Sequence, residues 1–260
     1  MDQPYFWVKK LDLMGQPKDL HDAWIALIGK IDDSDLTQDI TKCLLMNYHR
    51  KFSNLKSQGG IMPIHLAADF GSINIVKVVA SYLDNLNIPT AGGFTPIFIA
   101  AEKGHADVVN FLASMLETPN APLTNGVANG ITPIYIAAQD GDLEVVKVLA
   151  SMLENPNAPL TTGFTPIYIA AQQGHLEVVK VLASTIENPN APIANGFTPI
   201  WISAKKGYLE IVKVLASKTD DFNSLMPNGL TPIQVATQNG HNDVMEFMSS
   251  FADNTSLPMD

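Results

Sequence analysis

Residues 163–184 read GFTPIYIAAQQGHLEVVKVLAS, and the phrase returns on either side with small changes. Thirty-three residues later the chain reads GFTPIWISAKKGYLEIVKVLAS, and thirty-three residues earlier GITPIYIAAQDGDLEVVKVLAS. Recurrence in register at this period marks one supersecondary unit stacked on copies of itself. Thr-Pro pairs anchor the pattern at Thr95-Pro96, Thr132-Pro133, Thr165-Pro166, Thr198-Pro199 and Thr231-Pro232, with Met62-Pro63 as a degenerate first copy. The prolines are 33, 37, 33, 33 and 33 residues apart, and the long step contains TNGVANG at 124–130.

Each copy has the same physical grammar. Thr is a good N-cap because its hydroxyl accepts an orphan backbone N–H. Pro at the first helical position has no N–H to strand. A short apolar helix then runs to a Gly, as at Gly141, Gly174 and Gly207, where a left-handed residue stops it. In the second segment, LEVVKVLA, apolar residues at i, i+2, i+3, i+5 and i+6 predict a helix covered on two sides. The prolines of ENPNAPLTTG then turn the chain. Small pairs such as Ala137-Ala138 and Ala170-Ala171 let neighbouring helices approach closely. One copy cannot bury its own apolar faces, so the copies must stack.

The whole pattern resembles the ankyrin repeat. GFTPIYIAAQQGHLEVVKVLA follows the family's Gly-x-Thr-Pro-Leu-His-x-Ala-Ala-x-x-Gly-His phrase, and Pro156-Asn157-Ala158 stands where the family turn has Val-Asn-Ala. The resemblance covers about residues 61–252 as six repeats. It implies an all-α fold: an ankyrin-repeat solenoid, a curved stack of antiparallel helix pairs with β-turn fingers projecting to one side. The repeats are placed at about 61–93, 94–130, 131–163, 164–196, 197–229 and 230–260. Residues 1–60 fall outside the pattern and read as two amphipathic helices, with Leu36, Ile40, Leu44, Tyr48 and Phe52 on one face of the second. The preferred reading is a non-repeat N-terminal helical cap, since an array needs a terminal unit with a polar outer side. The rival reading makes those residues a separate functional module.

The chain departs from the family phrase in two ways. The family His after Thr-Pro survives only as His65, while Phe98, Tyr135, Tyr168 and Trp201 take its place elsewhere. Aromatics recurring at one position predict a ladder of rings stacked between repeats. The fingers are also apolar. Leu123, Leu160, Ile193 or Met226 stands where many family members carry Asp, and Phe94, Ile131, Phe164, Phe197 or Leu230 precedes Thr-Pro. Two outcomes stay open: an exposed apolar stripe marking a binding surface, or side chains packed on each other along the fingers.

Bulk composition narrows the function. Of 260 residues, 46 % are hydrophobic and the formal net charge is −10. Residues 1–60 carry eight acids and eight bases, so the repeats hold the whole excess. An acidic array repels phosphate backbones, which argues against a nucleic-acid partner. The longest apolar runs are too short to span a bilayer, so no membrane insertion is expected. Cys43 is the only cysteine, which suits a reducing compartment. MDQPYFWVKK does not read as a secretory signal, and a cytoplasmic protein is expected. No phosphate-binding, dinucleotide-binding, zinc-protease or nucleophile-elbow motif occurs. His105, His175 and His241 are repeated scaffold positions and poor metal ligands. No catalytic residue, metal or cofactor is expected.

A non-enzymatic, monomeric scaffold for a partner protein is therefore the leading reading. The alternative is an effector or enzyme-like regulator whose activity resides in the N-terminal 60 residues, with the repeats as its targeting module. The family resemblance implies partner contacts on the fingers and on the residues before the Gly that ends each first helix. Those candidates are Leu123, Thr124, Ile131, Gln139 and Asp140; Thr161, Thr162, Phe164, Gln172 and Gln173; and Ala194, Asn195, Phe197, Lys205 and Lys206. It also implies that turn asparagines are candidates for hydroxylation, with Asn223 the best placed. A loop absorbs added length at little entropic cost. Deleting Gly126–Asn129 should therefore shift the melting midpoint by no more than about two degrees, as followed by circular dichroism.

Overall fold

In a computed structural model of the chain, the described residues are 59–123, 130–219 and 222–255. They form twelve helices and no strand. The two helices expected over 1–60 and the long turn at 124–129 lie outside them. The chain divides into two units at residues 128 and 129.

In the first unit, α1 (Pro63–Asp69) and α2 (Ile73–Ala80) form one pair, and α3 (Pro96–Glu102) and α4 (Ala106–Met115) the next. Helix α1 packs on α3, and α2 on α4. In the second unit, four pairs follow in order. They are α5 (Pro133–Asp140) with α6 (Leu143–Met152), α7 (Pro166–Gln173) with α8 (Leu176–Thr185), α9 (Pro199–Lys206) with α10 (Leu209–Ala216), and α11 (Pro232–Gln238) with α12 (Asn242–Thr255). First helices stack on first helices and second on second. Stacked helix pairs in sequence order are the architecture of an ankyrin-repeat solenoid.

The start of each first helix explains why Thr, Pro and a distant Asn recur together. In α7, Pro166 occupies the first position and has no amide hydrogen to satisfy. The Ile167 amide donates to Asn157 Oδ1 at 3.0 Å, and the Tyr168 amide donates to Thr165 Oγ1 at 3.3 Å. The same set serves α9, where Ile200 donates to Asn190 Oδ1 at 3.0 Å and Trp201 to Thr198 Oγ1 at 3.2 Å. It serves α11 through Asn223 and Thr231 as well. Orphan N-terminal amides are thus matched one by one.

The first helices are buried almost all round: Ile167, Tyr168, Ile169, Ala170 and Ala171 are at most 6 % exposed. The second helices bury a stripe, such as Val145, Val146, Leu149 and Ala150, flanked by half-buried Leu143 and Val148. Both members of each Ala-Ala pair are wholly buried, and Ser203 takes such a place in α9 by donating its hydroxyl to the Pro199 carbonyl at 2.7 Å. The fingers at 90–94, 160–164, 193–197 and 226–230 are tight turns. The Leu160 amide donates to the Phe164 carbonyl, and the Gly163 amide returns to the Leu160 carbonyl, both at 2.8 Å. Gly163 has φ 84, and a Cβ there would collide with the Ala194 Cβ of the next finger. Consecutive fingers in this unit therefore nest against each other.

Asn190 is only 7 % exposed and receives the buried Ile200 amide. Replacing it with Ala leaves that amide without an acceptor, a loss of about 1–3 kcal/mol for a buried unpaired group. Asn190→Ala should lower unfolding stability by that amount in urea titration. Thr162→Ala, at an exposed finger tip, should change it by less than about 0.5 kcal/mol.

Candidate partner-binding face

The finger tips and the last turns of the first helices are the solvent-facing ends of each repeat. Thr161 and Thr162 are the two central residues of the finger turn closed by Leu160 and Gly163, and both are exposed. Ala194 and Asn195 hold the same places one repeat on and are also exposed. Phe164 and Phe197 close these turns and are half-buried. At the ends of the first helices, Asp140, Gln173, Lys205 and Lys206 are exposed, while Gln139 and Gln172 are half-buried. Ile131, before the cap of α5, is half-buried. All these residues belong to the second unit.

Leu123, in the first unit, differs from expectation: it is only 7 % exposed. Leu160, Ile193 and Met226 are likewise 4–8 % exposed. An apolar side chain at this position, where the family often has Asp, turns inward and becomes core. The apolar fingers therefore split into two rows, a buried one at this position and a partly open one at the residue before Thr-Pro. Thr124 lies outside the described residues. Asn223 is half-buried, with its Oδ1 accepting from the Ile233 amide at 3.1 Å.

The aromatic ladder is also revised. The rings at this position meet a ring of their own repeat rather than one another, because a residue just before the N-cap lies four positions from the third helical residue. Phe94 meets Phe98 with centroids 5.7 Å apart, Phe164 meets Tyr168 at 5.5 Å, and Phe197 meets Trp201 at 4.3 Å. Lys205 Nζ then sits 5.0 Å from the Trp201 ring, so Phe197, Trp201 and Lys205 form one line down α9. Burial pushes the Tyr168 hydroxyl up to about 12, with the neighbouring Tyr135 adding to it, and burial raises Tyr135 too. Neither phenol ionises near neutral pH.

The histidines hold repeats together. His175 Nε2 donates to the Gln139 carbonyl at 2.9 Å, His241 to the Lys205 carbonyl at 3.1 Å, and, in the first unit, His105 to the Asp69 carbonyl at 2.9 Å. Among the described residues no group of His, Cys, Asp and Glu is placed to hold a metal ion. No described helix is long and apolar enough to cross a membrane. A cleft of about 250 Å³ opens between the loops that follow α8 and α10, in the fourth and fifth repeats. Its lining among the described residues includes Asn190, Thr198, Thr219, Phe222, Leu225 and Met226, none with an ionising side chain.

Two exposed residues escaped the sequence reading. Phe70 is 46 % exposed at the end of α1, where later repeats carry Lys103, Asp140, Gln173 and Lys206. Leu225 is 68 % exposed where the preceding fingers have Pro159 and Pro192. Aligning the repeats by their turn asparagines reveals both, since each is the residue that breaks its column.

Comparison with known proteins agrees with this architecture. The family of ankyrin repeats, described as three copies, matches residues 33–122, 114–193 and 184–256. The chain belongs to the ankyrin-repeat family, whose repeats are generally protein–protein interaction modules and typically non-enzymatic. The match begins at residue 33, within the segment read from the sequence as a cap. The crystal structure of an ankyrin repeat domain from Acinetobacter baumannii AYE is similar in fold, with a TM-score of 0.64 and 21 % identity over 73 % of this chain and 97 % of that one. No curated protein matches the chain.

Gly141 ends α5 at φ 84, and a Cβ on it would lie 2.5 Å from His175 Nδ1. Gly141→Ala therefore combines an unfavourable backbone conformation, about 1–2 kcal/mol, with displacement of the histidine. Removing the ring first relieves the second part. In urea unfolding, the double variant Gly141→Ala with His175→Ala should be more stable than the sum of the two single losses allows, by at least about 0.5 kcal/mol.

Proposed function

We propose that this protein is a non-enzymatic scaffold that binds a partner protein through its finger and first-helix face, and that it works as a cytoplasmic monomer. The observation that carries this reading is the pair of half-open rings, Phe164 and Phe197, each braced from below by a buried aromatic, Tyr168 or Trp201. A ring held in place loses little freedom on binding, so it suits an anchor role. Around the rings lie short exposed side chains, Thr161, Thr162, Ala194 and Asn195, which leave a partner room to approach.

The outer helices support the choice of face by contrast. On α6, α8 and α10 the charges pair with each other: Glu144 with Lys147 at 2.7 Å, Glu177 with Lys180 at 2.6 Å, and Glu210 with Lys213 at 2.7 Å. These exposed pairs add little stability. They do leave these three helices with their first-turn Glu already matched. The net charge of −10 further disfavours nucleic acid.

The test is a pair of double variants on the full chain. Phe164→Ala with Phe197→Ala should weaken binding of a captured partner at least tenfold, about 1.4 kcal/mol, with an unchanged helical circular dichroism signal. Glu144→Lys with Glu177→Lys should leave binding within about twofold. The opposite pattern would place the partner on the outer helices.

A further inference from the structure

We infer that the partner presents an extended segment of opposite charge polarity to the row Asp140, Gln173, Lys206, with a basic residue at one end and an acidic residue at the other. This inference rests on the finger and first-helix face proposed above and specifies what that face selects. The three residues are exposed and close the first helices of three consecutive repeats. Their charges run from negative through neutral to positive. Among the described residues neither the Asp140 carboxylate nor the Lys206 ammonium is in an ion pair, whereas the outer helices α6, α8 and α10 each carry a matched Glu–Lys pair. Unmatched opposite charges two repeats apart cannot neutralise each other. They can be matched only from outside.

Chemistry also selects the form of the segment. Between the charges lie the carboxamides of Gln172 and Gln173, with that of Gln139 beside Asp140, each with a donor and an acceptor. Such groups complement the open amides and carbonyls of an extended chain, while a helix already satisfies its own. Stacked helices sit about 8–10 Å apart, so two repeats span about 18 Å. An extended chain covers that distance in about five or six residues at roughly 3.3 Å each. The segment therefore carries its base and its acid about five or six residues apart. On the finger side, apolar side chains of the segment reach across the first helices toward Phe164 and Phe197, nine residues before Gln173 and Lys206 in their repeats. At the positive end Lys205 is drawn over the Trp201 ring at 5.0 Å, leaving Lys206 as the freer cation for the incoming carboxylate.

The probe is a displayed library of random twelve-residue peptides, selected against the immobilised full-length chain. Enriched peptides should pair Lys or Arg with Asp or Glu at a separation of five or six residues, with apolar residues between. A synthetic copy of one such peptide should bind at least tenfold more weakly to Asp140→Lys and to Lys206→Glu. Its charge-inverted counterpart should bind the variant carrying both changes within about threefold of the original pair. All three sites are exposed, and the milder Asp140→Asn and Lys206→Gln should each give an intermediate loss. Peptides that lose binding on Phe164→Ala with Phe197→Ala, yet ignore both charge changes, would overturn the polarity and leave the face standing. Peptides indifferent to the phenylalanines as well would overturn the face itself. A selection that enriches nothing would overturn the extended segment while leaving open recognition of a folded domain.

Discussion

A carboxamide borrowed from the preceding loop opens three of the first helices. Asn157, Asn190 and Asn223 each give their Oδ1 to the second amide of the next first helix, ten residues on. The cap Thr serves the third amide, and Pro removes the need at the first position. Each helix start is therefore completed only when the previous repeat's loop is in place. The short polar side chain does what the helix cannot do for itself, since its early amides have no acceptor within the helix. The finger hangs between these two fixed points, with Asn at its base and Thr-Pro at its return. Its tip residues consequently face solvent whatever their chemistry.

That arrangement separates support from display. The finger row, Leu160, Ile193 and Met226, and the alanines of the first helices are buried together with Tyr168 and Trp201 in the second unit. The open row, Phe164 and Phe197, rests on those two rings. Display residues can thus differ between repeats without altering the frame, as the change from Asp140 through Gln173 to Lys206 illustrates. The outer helices show the reverse: there the Glu–Lys pairing is kept at the same spacing in three successive repeats.

Much of this was legible in the sequence. Thr-Pro and the following Gly mark helix bounds directly, because capping and left-handed conformations restrict residue choice so strongly. The predicted first-helix starts at Pro63, Pro96, Pro133, Pro166, Pro199 and Pro232 coincide with those found. Side-chain direction was harder to read. An apolar residue at a finger position is equally consistent with display and with packing, and only coordinates separate Leu160, which turns in, from Phe164, which stays half open. The ring ladder failed for a related reason. Period places Tyr135, Tyr168 and Trp201 at equivalent sites, yet the nearest ring for two of them lies four residues back in the same repeat. The donor that the turn asparagine serves was also invisible, because a turn Asn ordinarily bonds backbone close by. Here Asn155 and Asn188 do that, holding the amides of Asn157 and Asn190 and so freeing those side chains for the next helix.

The link from loop to next helix has a bearing on how such a chain can change its length. Any window of 33 residues in the regular stretch contains one donor helix start and one acceptor asparagine, wherever the window begins. Gaining or losing a whole window by unequal recombination leaves the asparagine before the join matched to an amide after it. The histidine and tyrosine contacts between neighbouring pairs re-form in the same way, since His175, Tyr208 and His241 hold corresponding positions over Gly141, Gly174 and Gly207. Copy number is thereby free to drift in whole periods, and the number of display positions drifts with it.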